Sequence, residues 1–283
     1  MDSIAAPDTL PQVSVILPTY NRARTLETAV DSVLEQDYPN IELIVIDDGS
    51  TDNTPQVLAG YNGRVTLISQ PNKGVSAARN TGIKKSRGEL IALLDSDDAW
   101  TSEKISCQVE FFNSHPEAMI CQTEEIWIRN HRRVNPKAKH KKPSGMIFEP
   151  SLHLCLVSPS AVMMRKELFE TKGLFDETFT VCEDYDLWLR VSHDTPVFLI
   201  EKPCTIKHGG HPDQLSSRHS QDRYRIKSLI NIIESGVLTP AQVASAQKVL
   251  KEKCRIYGNG CIKRHRLEEG RFYLDLYETF HRK

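Results

Sequence analysis

The first hundred residues alternate short aliphatic runs with segments of helical spacing, and that alternation restricts the chain to few architectures. Residues 13–17, 41–46, 65–68 and 90–94 are strand-sized and almost wholly apolar. Between the first two, residues 22–36 place Leu26, Ala29, Val30, Val33 and Leu34 on one side of a helix. Shorter helices fit residues 54–58 and 74–85. Strands that are apolar on both faces need cover on both faces, which crossover helices supply. The pattern predicts an α/β fold with a Rossmann-like, mostly parallel central sheet flanked by helices.

Open sheets of this kind bind ligands outside the carboxyl ends of their strands. Those ends carry Thr19-Tyr20-Asn21-Arg22, Asp47-Asp48 and Asp95-Ser96-Asp97, so three polar clusters converge on one edge. In an extended segment Asp95 and Asp97 face the same way. Two crowded carboxylates suit a hard cation, Mn²⁺ or Mg²⁺, whose shell substrate phosphates commonly complete. Asp98 fits turn or cap duty, as does part of the 47–52 cluster. Asp48 stands where it could accept hydrogen bonds from a nucleobase edge.

A third acidic stretch runs from Glu183 to Arg190. On a helix, Asp184 shares the inward face with Leu187, Trp188 and Val191, where an acid must be satisfied or functional. A general-base role suits it, at a helix start whose dipole favours its charge. Asp186 and Arg190 are expected as an outward i,i+4 ion pair. His208 and His211, around Gly209 and Gly210, are expected in a flexible polar loop; near a cation either could supply a ligand.

Beyond Trp100 the order is less regular. Residues 103–113 read as a helix, 118–128 and 161–164 as strands, 183–191 as a helix and 196–200 as a last short strand. Residues 131–142 are basic and proline-containing, and are expected as a solvated loop rather than an acceptor-phosphate site. From residue 220 the spacing is helical, which predicts a body at 1–219 and a helical extension at 220–283. Packing against the body is the default for that extension, with a homodimer contact or membrane docking left open. The seven scattered cysteines lack C-x-x-C spacing and point to reduced thiols in a cytoplasm-like compartment, not to zinc. A net charge of -1 gives no hint of a nucleic-acid partner. Neither a signal peptide nor a membrane span is evident, so a cytoplasmic protein is expected, with peripheral contact at the inner membrane face left open.

Five stretches, in order, resemble the family 2 glycosyltransferases of the GT-A fold. They are Val13-Ser14-Val15-Ile16-Leu17-Pro18-Thr19-Tyr20-Asn21-Arg22, Ile44-Val45-Ile46-Asp47-Asp48-Gly49-Ser50-Thr51-Asp52, Asn72-Lys73-Gly74-Val75-Ser76-Ala77-Ala78-Arg79-Asn80, Leu93-Leu94-Asp95-Ser96-Asp97-Asp98 and Glu183-Asp184-Tyr185-Asp186-Leu187-Trp188. Their joint occurrence over roughly the first 215 residues is specific for the family, though not for a substrate. The resemblance implies inverting, metal-dependent transfer of a sugar from a nucleotide-diphosphate sugar, uridine-linked by family habit, to a glycan, lipid-linked or protein hydroxyl. Pro18, Thr19, Tyr20 and Arg22 would line the nucleoside pocket, with Asp48 and Arg79 reading the base. Lys73, Gly74 and Ser96 would join the donor site. Asp95 would touch the ribose or metal, Asp97 the cation on the diphosphate, and His211 would be a further metal ligand with His208 as competitor. Asp184 would be the base.

Two other readings compete. A sugar-phosphate nucleotidyltransferase would want a glycine-rich loop after the first strand, where Pro18-Thr19-Tyr20-Asn21 stands instead. A non-catalytic nucleotide-sugar-binding protein would leave Asp95, Asp97 and Asp184 free to drift, yet all three are present.

Overall fold

A computed structural model describes residues 10–135, 137–210 and 221–281, with side chains up to residue 276. One mixed sheet runs in the order β3-β2-β1-β4-β8-β6-β9-β5, with β7 paired to β6. Its N-terminal half is parallel: β1 (Val13–Thr19) pairs with β2 (Ile41–Asp47) and β4 (Leu90–Leu93), and β2 pairs with β3 (Thr66–Ser69). Antiparallel β8 (Val162–Arg165) then joins β4 to β6 (Ile120–Arg129). The long ladder between β6 and β9 (Phe198–Gly209) is again parallel, and the short β5 (Ala99–Trp100) closes the far edge.

The period of two along the strands assigns the core. Val13, Val15 and Leu17 of β1 point to one face, under Leu26, Ala29, Val30 and Val33 of α1 (Leu26–Leu34). Ile16, Ile44 and Ile46 point to the other, under Ala78 and Ile83 of α3 (Val75–Lys85) and Leu187, Trp188 and Val191 of α7 (Glu183–Ser192). Each fully buried aliphatic side chain contributes about 1.5–3 kcal/mol, so the two-sided burial holds the register. Two further helices, α2 (Thr54–Ala59) and α4 (Lys104–Ser114), complete the first layer's cover, with Leu58, Ile105, Val109 and Phe112 in its core.

Short helices α5 (Phe148–Ser151) and α6 (Leu168–Lys172) precede α7. The C-terminal helices α8 (Gln221–Glu234), α9 (Pro240–Lys263) and α10 (Leu267–His281) build a third cluster. There Ile226, Leu229, Ile232, Val249 and Leu250 meet Phe148 of α5, Leu152 at its end, and Tyr185 and Leu189 of α7. Thr239 and Gln242 form a capping box with Pro240 at the first position of α9, and Gln242 Nε2 donates to the His193 carbonyl at 2.6 Å, tying α9 to the end of α7.

Three expectations change. The last strand is not short: β9 extends to Gly209, so His208 and Gly209 lie in a strand rather than a flexible loop. Pairing along β6 recruits them, a non-local cause that hydropathy cannot register. Residues 131–142 contain strand β7 (Arg132–Val134) and a 3₁₀ turn, Ala138–His140, so they are not simply a loop. Asp186 is 4% exposed although it does pair with Arg190 at 3.0 Å, because α7 is covered on both sides.

Candidate functional site

The strand ends open on a cleft of about 1250 Å³. Pro18, Thr19, Tyr20, Arg22, Asp48, Lys73, Gly74, Arg79, Asp95, Ser96, Asp97 and Asp184 all line it. Every described donor-site residue expected from the sequence therefore reaches one cavity. His208 lines it too, whereas His211 lies outside the described residues.

The loop after β1 is shaped by Asn21, whose φ of 52° is left-handed. Its amide nitrogen donates to Ser50 Oγ at 2.9 Å, and its Oδ1 accepts from the Thr51 nitrogen at 2.8 Å. The short polar side chain tolerates this backbone and latches the first two strand ends together. Asp48 is 3% exposed. Its Oδ1 accepts from Gln70 Nε2 at 2.7 Å and the Lys73 nitrogen at 3.0 Å, while Oδ2 accepts from the Gly74 nitrogen at 2.8 Å. It thus shapes the entry to α3 at the cleft wall.

Arg79, buried on α3, donates to Asp95 Oδ1 and to Glu183 Oε1, both at 2.7 Å. Burial by itself would weaken its hold on the proton, but Asp95 and Glu183 push the net shift upward. One N–H of each terminal nitrogen goes to this bridge, which joins the end of β4 to the start of α7 at the cleft wall. Glu183 is raised by burial, opposed by Arg79.

Asp95, Asp97 and Asp98 each offer an oxygen within 4.8 Å of the others. They differ in what already holds them. Asp98 is buried, accepting from Ser160 Oγ at 2.6 Å and from the His208 nitrogen at 3.0 Å. Burial pushes its pKa up to about 8; Lys207 opposes that shift, and Asp97 and Asp95 add to it. Asp98 therefore anchors β9 to the acidic turn, and Asp95 and Asp97, both half-buried, are the pair suited to a cation. An all-oxygen set of this kind fits Mg²⁺ or Mn²⁺. Among the described residues the cluster comprises the aspartates without the His208 ring.

At the start of α7, Cys182 has φ 61°, a left-handed conformation uncommon for a side chain of this kind. It turns the chain so that Glu183 meets Arg79 while the half-buried Asp184 opens on the cleft. Asp184 Oδ2 accepts from the Cys155 thiol at 3.4 Å, and Oδ1 from the Tyr185 nitrogen at 2.7 Å. The expected alignment of Asp184 with the apolar face is thus relaxed by the helix starting only one residue earlier.

The sequence reading did not single out Ser160, Glu125, Lys142, Lys207 or Cys155. Ser160 accepts the Asp95 amide at 3.2 Å while donating to Asp98. Lys142 pairs with Glu125 at 3.1 Å, and Lys207 donates to Ser158 Oγ at 2.9 Å. Burial would raise Glu125, but Lys207 and Lys142 hold it down to about 2. A buried acid flanked by two lysines is a tertiary arrangement; its linear trace is the Glu124-Glu125 pair in the middle of β6.

An open α/β sheet with nucleoside-sized polar loops and an acidic turn at its strand ends is the GT-A architecture. Solved structures agree on that fold. TarS of Staphylococcus aureus, in complex with UDP-GlcNAc, superposes with a TM-score of 0.74 at 21% identity, covering 94% of this chain and 79% of that one. A mannosyltransferase of Pyrobaculum calidifontis, in complex with GDP-Man and Mn²⁺, gives 0.62 at 18% identity over 98% and 88%. The chain belongs to the family Glycosyl transferase family 2, whose model matches residues 14–172. It is 34% identical over 190 residues to the Escherichia coli UDP-Glc:alpha-D-GlcNAc-diphosphoundecaprenol beta-1,3-glucosyltransferase WfgD, a match covering 66% of this chain and 72% of that relative. A glycosyltransferase of Rickettsia typhi is 36% identical over 191 residues, 64% of this chain; the chain spans only 60% of that relative's length.

Proposed function

We propose that the protein is an inverting, metal-dependent glycosyltransferase that moves a sugar from a nucleotide-diphosphate sugar to an acceptor hydroxyl in polysaccharide or glycolipid assembly. The observation that carries this is the Arg79 bridge, which holds Asp95 and Glu183 at 2.7 Å each and so brings the cation pair and Asp184 to one cleft. A two-substrate displacement needs such a shared cleft, because attack and departure occur at one carbon.

In this reading Tyr20, 46% exposed at the mouth, and Pro18, Thr19 and Arg22 flank the nucleoside. Asp48 reads the base, with Lys73, Gly74 and Ser96 beside the donor. Asp95 and Asp97 hold the cation, which, when bound, supplies Lewis-acid stabilisation of the diphosphate's charge. Asp184 accepts the proton of the acceptor hydroxyl as its oxygen bonds to the anomeric carbon. The bond to the diphosphate breaks on the opposite face, and the configuration inverts. His211 is kept as a candidate ligand. The helices from residue 220 are read as an extension that supports α7.

Uridine diphosphate is the favoured nucleotide, supported by the UDP-linked donors in the names of two of the proteins compared; the GDP-Man complex of the third makes guanosine diphosphate the alternative. Calorimetric titration with UDP, with and without Mn²⁺, tests the reading. Metal-dependent binding is expected. Silence from UDP, GDP and dTDP alike, with or without metal, would sink the transferase assignment.

A further inference from the structure

The acceptor side of the cleft carries a charge pattern that donor chemistry leaves unexplained. Strands β6 and β7 meet in a two-residue hairpin whose turn residues, Asn130 and His131, have φ of 49° and 60°. Positive φ at both central positions is the tight turn that matches strand twist. The register sets Arg129 directly opposite Arg132, Ile128 opposite Arg133 and Trp127 opposite Val134. Residues directly opposite share a face, and like charges there destabilise the pair. Trp127, Ile128, Arg129 and Val134 line the cleft, and Arg132, directly opposite Arg129, is exposed.

The surrounding sequence does not relieve this repulsion. From Ile126 to Phe148 there is no Asp or Glu, against Arg129, Arg132, Arg133, Lys137, Lys139, Lys141 and Lys142. Glu125, the nearest acid in the sequence, is buried at the hairpin base and paired with Lys142 at 3.1 Å. His140, which packs against Trp127 with ring centroids 5.2 Å apart, also lines the cleft. Beside Arg129, β9 runs through Gly209 and His208, whose amide reaches Asp98. The cationic hairpin and the acidic turn are thus two walls of one cleft, joined by one strand.

We propose that the β6–β7 hairpin is an anion-binding wall that takes a phosphate or diphosphate group carried by the acceptor, with the paired Arg129 and Arg132 at its centre. This rests on the transferase reading and adds the acceptor's chemical class. Opposed strand positions let two guanidinium groups share a phosphate's several acceptor oxygens, and an anion between them converts repulsion into charge-assisted hydrogen bonds.

The test uses the full chain with UDP and Mn²⁺ saturating the donor site, so that added phosphate cannot report on it. Glucose 1-phosphate against glucose, and phosphatidylglycerol vesicles, are titrated into wild type and into the double variant Arg129→Gln/Arg132→Gln. Thermal unfolding shows whether the variant is folded, and UDP affinity is the control. Expected results are binding of glucose 1-phosphate but not glucose, at least tenfold weaker in the variant, with UDP affinity changed by less than twofold. Equal binding of glucose 1-phosphate to both proteins would overturn the proposal. So would a defect confined to phosphatidylglycerol vesicles, which would assign the hairpin to the membrane surface instead. Should the variant not fold, Arg132→Lys and Arg132→Gln singly carry the same comparison, with retention in the lysine variant expected. Failure of UDP binding in the wild type would instead count against the transferase reading.

Discussion

Asp97 and Asp184 occupy one cleft but are expected to fail differently. Asp97→Ala should abolish the metal-dependent part of nucleotide binding, at least tenfold by calorimetry. Asp184→Asn should leave that binding within twofold while turnover falls by about 10²–10⁴, the usual contribution of a general base. Equal loss of binding in both would refute the division of labour. Lys104 provides a test of stability rather than chemistry. It is fully buried, its Nζ 3.7 Å from the Trp100 ring centre and 3.4 Å from the Val162 carbonyl, and burial pulls its pKa down to about 7. Between that value and the ordinary lysine value near 10.4 the unfolded chain binds more protons, so stability rises with pH across this window. The penalty is complete below about pH 7 and gone above about pH 10.4. Lys104→Met should therefore stabilise by roughly 1–3 kcal/mol at neutral pH and progressively less towards pH 10. Denaturant melts at several pH values check this; a pH-independent difference would refute it.

Individual elements aim these residues, and α3 shows how. A side chain at Gly82 would place its Cβ 2.4 Å from Ile16 Cγ2 and 2.7 Å from Ile46 Cδ1. The helix sits that closely on β1 and β2, and its closeness fixes where Arg79 meets Asp95 and Glu183. Gly82→Ala should cost about 1–3 kcal/mol of stability through overpacking, and UDP affinity should fall with it as the bridge shifts. Unchanged affinity at reduced stability would show that the bridge tolerates movement of α3. The loop after β1 behaves likewise: Asn21→Ala removes the acceptor for the Thr51 amide and puts alanine in a left-handed backbone. A loss of roughly 1–3 kcal/mol is expected, with weaker nucleotide binding by calorimetry.

At the scale of the whole molecule, the C-terminal helices share a core with α7 rather than standing apart. Leu229 is fully buried in the cluster that includes Tyr185 and Leu189. Leu229→Ala should cost about 2–5 kcal/mol in a single transition seen alike by tryptophan fluorescence and far-ultraviolet circular dichroism. Trp100, Trp127 and Trp188 all precede α8, so a fluorescence transition left unmoved would show that the extension unfolds independently. No helix among the described residues is long and apolar enough to cross a membrane.

The parallel half of the sheet and the convergence of Thr19, Asp48 and Asp95 on one edge were legible in the sequence, because local hydrophobic period and strand polarity dictate them. Cys182 turning α7, Arg79 joining two acids, Asp98 anchoring β9 and the opposed arginines of the hairpin were not. Each depends on which distant segments become neighbours, and that is decided by side-chain packing and strand register. The sequence by itself determined the kind of site and the residues offered to it; only the tertiary structure decided which of them face the cleft and which are spent holding the others in place.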